Sequence, residues 1–310
     1  MDITAALPTF LITLREGFEA ALVVGIVLAC LKKAEQSHLN SWVFSGVVIG
    51  ILASAVFGVL FGWLIQGIAT SEHPYAPVFG EFLEAGIGLF AITMLSWMLI
   101  WMTQQAKSLK AEVEGAVKAA IDNNKTAAGW GILGLIFIAV LREGLETVIF
   151  ILATFQQSIM AAIGAILGLF VAAGLGLLLF KWGVKINIRL FFQIMGIFLL
   201  LIVAGLIISV LRHLDAGVGI LAQLNSNYAG FCLTQPASCL LGNLVLNAEE
   251  FLPDQQFPGI VLKALFGYRD HLYVVQIVSY FLFLITVGGF YLKEVNGKVS
   301  LPLKPEKPAF

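Results

Sequence analysis

The chain has 310 residues, of which 59% are hydrophobic and only 12% charged, and its formal net charge is −1. Soluble domains run at about 45–50% apolar and about 25% charged, so this chain has too little polar surface to wrap a water-soluble globule. The same figures exclude a disordered chain, a disulfide scaffold and, with no Lys/Arg-rich tract, a nucleic-acid binder. The expected class is an all-α polytopic membrane protein.

A bilayer-spanning helix needs roughly 20 mostly apolar residues. Seven segments qualify, at about 5–31, 42–69, 78–103, 129–155, 159–181, 190–211 and 271–292. The first reads as a retained span rather than a cleavable leader, because Arg15, Glu16 and Glu19 interrupt it and no basic stretch precedes it. It carries the string Arg15-Glu16-Gly17-Phe18-Glu19. The second begins with Gly46-x-x-x-Gly50, a close-packing pattern. The third opens with Glu81 and Glu84, one helical turn apart and shortly after Glu72 and His73. Residues 104–128, with Lys107, Lys110, Glu112, Glu114 and Lys118, read as a solvated amphipathic linker helix at the inner face.

The fourth span repeats the string of the first, as Arg142-Glu143-Gly144-Leu145-Glu146. A short turn at Gln156, Gln157 and Ser158 leads to the fifth, which begins with Gly164-x-x-x-Gly168. The sixth holds no carboxylate, only Gln193. The long segment 212–270 contains Asp215, Glu249, Glu250 and Asp254, read first as a solvated acidic loop and second as a cation-collecting surface. Its Cys232 and Cys239 could pair in an oxidising compartment or remain thiols. Cys30 reads as plain packing, and His213 and His271 as helix-end residues or as part of the collecting surface.

Thirteen of the 18 Lys and Arg fall in alternate connecting segments and the C-terminal tail, which predicts the N-terminus outside and the C-terminus inside. The two motif copies then lie three helices apart, on the first and the fourth, so the motif helices run in opposite directions. That predicts an inverted repeat, residues 1–103 against 129–211, joined by a cytoplasmic linker at 104–128. An extracytoplasmic loop at 212–270 and a seventh helix with its tail at 271–310 complete the expected organisation.

A charge at mid-bilayer is unfavourable by roughly 2.5–3.5 kcal/mol even on the mildest scales, and the two strings place four glutamates and two arginines there. Glu16 and Glu19 are i,i+3 and share a helix face; Arg15 and Glu19 are i,i+4, so the guanidinium can orient that carboxylate. Glu143, Glu146 and Arg142 repeat this geometry. Gly17 and Gly144 remove a side chain beside each motif and admit a neighbouring helix. Two such faces brought together offer up to eight hard carboxylate oxygens, suited to a hard cation. The bland alternative is a pair of buried ion pairs holding helices together. A single motif would leave that reading open; a doubled one weighs against it.

The doubled motif on the first and fourth of seven helices resembles the oxidase-dependent iron transporter family, which comprises fungal high-affinity iron permeases and bacterial EfeU permeases. Further likenesses are the Glu-x-x-Glu start of the third helix and Leu265-Phe266-Gly267-Tyr268 before the last. The resemblance implies a high-affinity iron permease of the cytoplasmic (inner or plasma) membrane. It implies that Glu16, Glu19, Glu143 and Glu146 bind iron in transit beside Arg15 and Arg142, with Glu81 and Glu84 as an outer acidic pair. It also implies ferric iron handed over by an extracytoplasmic oxidase or iron-delivery protein, with iron as substrate and no prosthetic group. The Cys232 to Cys239 stretch matches no family motif. Uptake of another heavy-metal cation such as lead is the nearest alternative. A membrane-embedded di-iron carboxylate enzyme is another, disfavoured because neither motif carries a histidine; a structural or sensory membrane subunit is a third.

Overall fold

The computed structural model describes residues 6–69, 75–105, 113–117, 119, 125–153, 159–182, 187–224, 230, 232 and 238–297. The long helices are α1 (Ala6–Lys33), α2 (Asn40–Ala69), α3 (Ala76–Gln105), α4 (Lys125–Ala153), α5 (Ile159–Phe180) and α6 (Ile188–Leu224). A short α7 (Gly259–Phe266) precedes the last helix, in which α8 (Val274–Phe283) passes through a π-turn at Leu284–Gly288 into α9 (Gly289–Gly297). The chain is therefore a helical, multi-pass membrane protein. Five of its helical stretches are long and apolar enough to cross a bilayer: Ser37–Ile65, Ala76–Trp101, Ile159–Phe180, Ile188–Leu224 and Val274–Val295. The two motif helices, each interrupted by three charges, are not among the five.

The helices pair face to face: α1 with α5, α2 with α4, and α3 with α6, while α1 also crosses α4. Small residues set these approaches. On α2, a Cβ at Gly46 would stand 2.9 Å from the carbonyl oxygen of Leu133, and one at Gly50 would stand 2.9 Å from Val140. On α5, Gly164 and Gly168 lie equally close to the backbone of Ala6 and Phe10 on α1. Each Gly-x-x-x-Gly thus receives the motif helix of the other half. Outward faces remain apolar, as with Val48, Leu52, Val56, Val59 and Trp63 on α2 and Ile166, Phe170 and Leu177 on α5. Such surfaces are stable only against lipid.

Three packed clusters fill the interior. One joins α3, α6 and the last helix around Leu95, Leu199, Val203 and Phe283. A second ties α1 to α2 and α4 through Val27, Leu31, Val43, Ile132 and Ile136. The third sets Phe18 against Phe191 and Phe192 of α6, with ring centroids 4.4 and 6.0 Å away.

Four differences from the sequence reading have local causes. First, α6 continues to Leu224 rather than ending at 211, so Arg212, His213 and Asp215 are helical; the run stays helix-compatible because neither Gly nor Pro follows until Gly217. Second, the segment 212–270 is not simply a loop. It holds α7 and the strand β1 (Leu244–Asn247), which pairs antiparallel with β2 (His271–Tyr273). Third, His271–Tyr273 belongs to that ribbon, and the last helix starts at Val274. Fourth, the linker is not wholly solvated: residues 113–117 are helical and bury Val113 and Val117 against the second cluster. Linker residues 106–112, 118 and 120–124, the turn at Gln156, Gln157 and Ser158, Glu72, His73 and the tail from 298 lie outside the described residues.

The helix packing can be tested at one glycine. A Cβ at Gly168 would stand 2.6 Å from the Phe10 carbonyl oxygen, whereas one at Gly174 meets nothing within 4 Å. Gly168→Val is expected to destabilise the detergent-solubilised protein by about 1–3 kcal/mol, and Gly174→Ala to stay within about 0.5 kcal/mol of the parent. Thermal unfolding of the two variants side by side checks this.

Candidate metal centre

The helical spacing of the first string has the consequence its sequence implies. Arg15 is buried, with its Nη1 on Glu16 and its Nη2 3.1 Å from Glu19 Oε1 across one turn. The same Nη1 lies 3.5 Å from the sulfur of Met98 on α3. One guanidinium thus holds both carboxylates of α1 on one side, as its planar fork permits and a lysine ammonium would not.

On α4, Arg142 Nε donates to Glu146 Oε1 at 3.1 Å, again at i,i+4. Here the arginine is different. Its side chain is 50% exposed, against 4% for Arg15, and its guanidinium lies over the Trp101 ring, 5.0 Å from the centroid. A cleft of about 320 Å³ lies alongside, lined by Met94, Trp97, Met98, Trp101, Arg142 and Glu146. The two copies of one string therefore have unlike surroundings.

Both motif glycines are pressed by a neighbour. A Cβ on Gly17 would lie 2.9 Å from Ala172 Cβ of α5, and one on Gly144 2.1 Å from Ser54 Oγ of α2. Ser54 is held in place by donating to the Gly50 carbonyl at 2.7 Å. With both helices seated this closely, Glu16, Glu19 and Glu143 bring carboxylate oxygens within 4.8 Å of one another. Glu146 is buried beside them on Arg142.

The hydrogen-bond inventory of this cluster does not close. Glu16 Oε2, Glu143 Oε2 and Glu146 Oε2 are buried without a hydrogen-bond partner among the described residues, as is Glu19 Oε1, which faces Arg15 only as an ion pair. Buried polar atoms in native structures are nearly always satisfied, and an unpaired buried carboxylate oxygen is more unfavourable than a neutral one. Each motif glutamate thus keeps one buried oxygen without a hydrogen-bond partner, and three of the four, Glu16, Glu19 and Glu143, are close enough to share one cation.

A second group lies at the other end of α3. Glu81 Oε2 and Glu84 Oε2 face His213 Nδ1 of α6 at 2.7 and 3.1 Å. His213 is a residue that sequence reasoning left open between a helix end and part of a cation-collecting surface. It stands far from Glu81 along the chain, and only the continuation of α6 brings it there. Asp215 and Asp254, two of the acidic residues of the segment 212–270, are engaged in structural contacts, while Glu250 is exposed. Asp215 accepts from the backbone N–H groups of Cys239 and Leu240 at 2.9 and 2.6 Å, and Cys239 is in a disulfide with Cys232. Asp254 is buried between Lys263 and Arg269 at 2.9 and 3.5 Å, and Glu249 faces His271 at 3.8 Å. Gly267, in the left-handed region at φ 67°, ends α7 against Gly205 of α6, where either Cβ would strike the other's backbone.

Residues 6–292 match the family model of the iron permease FTR1 family. The chain belongs to that family. It is 32% identical over 278 residues to the ferrous iron permease EfeU of Yersinia pestis, covering 89% of each chain. A further relative is the protein of that name in Escherichia coli O6:K15:H31, at 32% over 279 residues, 89% of this chain and 91% of that one. An uncharacterised Synechocystis protein is 46% identical over 303 residues, covering 97% and 98%. No solved structure matches. The permease is a transporter rather than an enzyme, which removes the di-iron enzyme from consideration, and iron is the substrate that the family implies.

The unlike arginines yield a test. Arg15→Lys should lower iron uptake by about 10–100-fold, the usual cost of losing a supporting contact to a metal ligand. Arg142→Lys, at a half-exposed position, should cost clearly less. Initial rates of radio-iron uptake, normalised to membrane protein level, decide it; equal losses would remove the asymmetry.

Proposed function

We propose that this permease imports iron across the cytoplasmic membrane by passing it through the carboxylates of Glu16, Glu19, Glu143 and Glu146. The observation that carries this reading is the set of four buried oxygens without donors, one on each motif glutamate. Ion pairs serving only as helix glue would be arranged to satisfy those atoms. A cation in transit needs them open, and it must leave again, so a fully saturated cage would be counterproductive.

In this reading α1 and α4 cross the bilayer as well, giving seven spans. They have 28 and 29 residues, about 42 Å at a 1.5 Å rise, against a hydrocarbon core of about 30 Å. Arg15, Glu16, Glu19, Glu143 and Glu146 are turned toward the bundle, as spanning helices require, while Arg142 is half-exposed over the Trp101 ring. The inverted repeat is supported by the pairing pattern. A two-fold relation of helices one to three with four to six exchanges the α1–α5 contact with α2–α4 and maps α3–α6 onto itself, and these are the three main contacts. With the N-terminus outside, Glu81, Glu84 and the disulfide lie on the outer side and the basic segments inside.

For the form of iron we adopt a handover. In it ferrous iron, the ion in the relatives' name, is oxidised at the outer face by a partner oxidase, as the resemblance implies, so that ferric iron reaches the all-oxygen set. A trivalent ion gains most from concentrated carboxylate charge. Lead competing equally with iron for uptake would favour the broader heavy-metal reading.

Glu19→Gln and Glu146→Gln keep size and hydrogen-bonding capacity but remove the charge. Each is expected to reduce iron uptake to background in a transport-deficient cell while the protein still inserts; near-normal uptake in both would overturn the proposal. Uptake of ascorbate-held ferrous iron should also require oxygen, since the oxidation needs an acceptor. Equal rates with and without oxygen would remove the oxidase from the scheme.

A further inference from the structure

Glu81, Glu84 and His213 each offer one ligand atom, all within 4.8 Å of one another. A single ring nitrogen carries at most one proton, yet two carboxylate oxygens converge on His213 Nδ1 at 2.7 and 3.1 Å. The group therefore presents more acceptors to that nitrogen than it can serve. Its side chains are 22 to 33% exposed, reachable from water in a way the motif glutamates are not. The helix carrying His213 is held on both sides of it. Gly217, one turn on, lets Glu81 lie against α6, where an added Cβ would sit 3.3 Å from Glu81 Cβ. Asp215 fastens the same turn to the disulfide-bonded segment. Met98, which Arg15 touches, lies nearly five turns further along α3 than Glu81, or roughly 25 Å. The triad is thus separate from the motif centre.

We propose that Glu81, Glu84 and His213 form an outer loading site for a divalent transition metal such as Fe²⁺, in which His213 is the selecting ligand. The argument is one of donor chemistry. Carboxylates alone suit Mg²⁺ and Ca²⁺ as well as iron, and both ions are abundant outside a cell. An imidazole nitrogen adds affinity for iron, zinc, nickel and copper and little for the hard alkaline-earth ions. Mixed histidine–carboxylate sites with open positions are the form in which proteins commonly hold Fe(II). The two centres then divide the work: the outer one chooses the metal as Fe²⁺, the partner oxidase passes one electron from it to oxygen there, and the inner, all-oxygen one conducts the resulting Fe³⁺. This inference rests on the permease reading of the motif centre but is tested apart from it.

The probe is Co²⁺, whose visible absorption reports nitrogen and oxygen coordination, titrated into the full chain in detergent micelles. A Glu16→Gln, Glu19→Gln, Glu143→Gln variant, lacking the motif centre, should retain one Co²⁺ site that excess Mg²⁺ does not displace. Adding His213→Gln to it should weaken Co²⁺ by about tenfold or more and let Mg²⁺ compete. Adding Glu84→Gln instead should weaken it comparably, so that the result does not hang on the folding of one variant. Unchanged Co²⁺ affinity in both added variants, or ready displacement by Mg²⁺ with His213 intact, would overturn the outer site. Undiminished iron uptake by the triple variant would instead overturn the motif centre, and the Co²⁺ titration would still decide on His213.

Discussion

Four carboxylates share two guanidinium groups inside an apolar bundle, and the rest of the architecture serves that imbalance. Arg15 pairs with both Glu16 and Glu19, and Arg142 with Glu146. Carboxyl groups therefore outnumber guanidinium groups at the crossing of α1 and α4, in surroundings that screen charge poorly. In the proposed reading, that surplus of carboxyl oxygens is what a cation binds. The protein keeps enough positive charge to hold the carboxylates in place and stops short of saturating them.

Such a cluster can persist only if the helices bearing it are firmly seated, because a carboxylate free to swing would find water or an amide. Close packing supplies this. Gly17 and Gly144 admit Ala172 and Ser54 directly beside the motifs, and the paired glycines of α2 and α5 bring backbone against backbone. In lipid, where apolar side chains gain little by leaving the solvent for one another, contact of this kind is a main source of helix association. The unlike settings of Arg15 and Arg142 show that the two copies of the string are not equivalent. The buried arginine is a fixed element, while the half-exposed one borders the Trp101 cleft.

The end of the bundle at Glu81 is built on different chemistry. There Asp215 of the long α6 holds the backbone of Cys239 and Leu240, β1 pairs with β2, and Asp254 pairs with Lys263 and Arg269. Asp215 and Asp254, which seem free in the sequence, are consumed in these contacts. Glu249 and Glu250 stay exposed near the ribbon, where His271 faces Glu249 and Asp270; Glu81, Glu84 and His213 are the group in which one histidine and two carboxylates bring their ligand atoms within 4.8 Å of one another.

The sequence by itself determined what depends on short spacing and on composition. Membrane class follows from the shortage of polar surface, the long helices from unbroken apolar runs, and the intrahelical pairing of Arg15 with Glu19 and Arg142 with Glu146 from the i,i+4 geometry of any α-helix. The tertiary structure alone decided what depends on the order in which helices pack. It brought Glu143 within reach of Glu16 and Glu19, committed Asp215 and Asp254 to structural contacts, and carried His213 to Glu81 and Glu84. No local pattern encodes these outcomes. Two side chains on separate helices meet only when the glycines between them fix the depth and angle of the crossing, and that is a property of surfaces in contact rather than of neighbours along the chain.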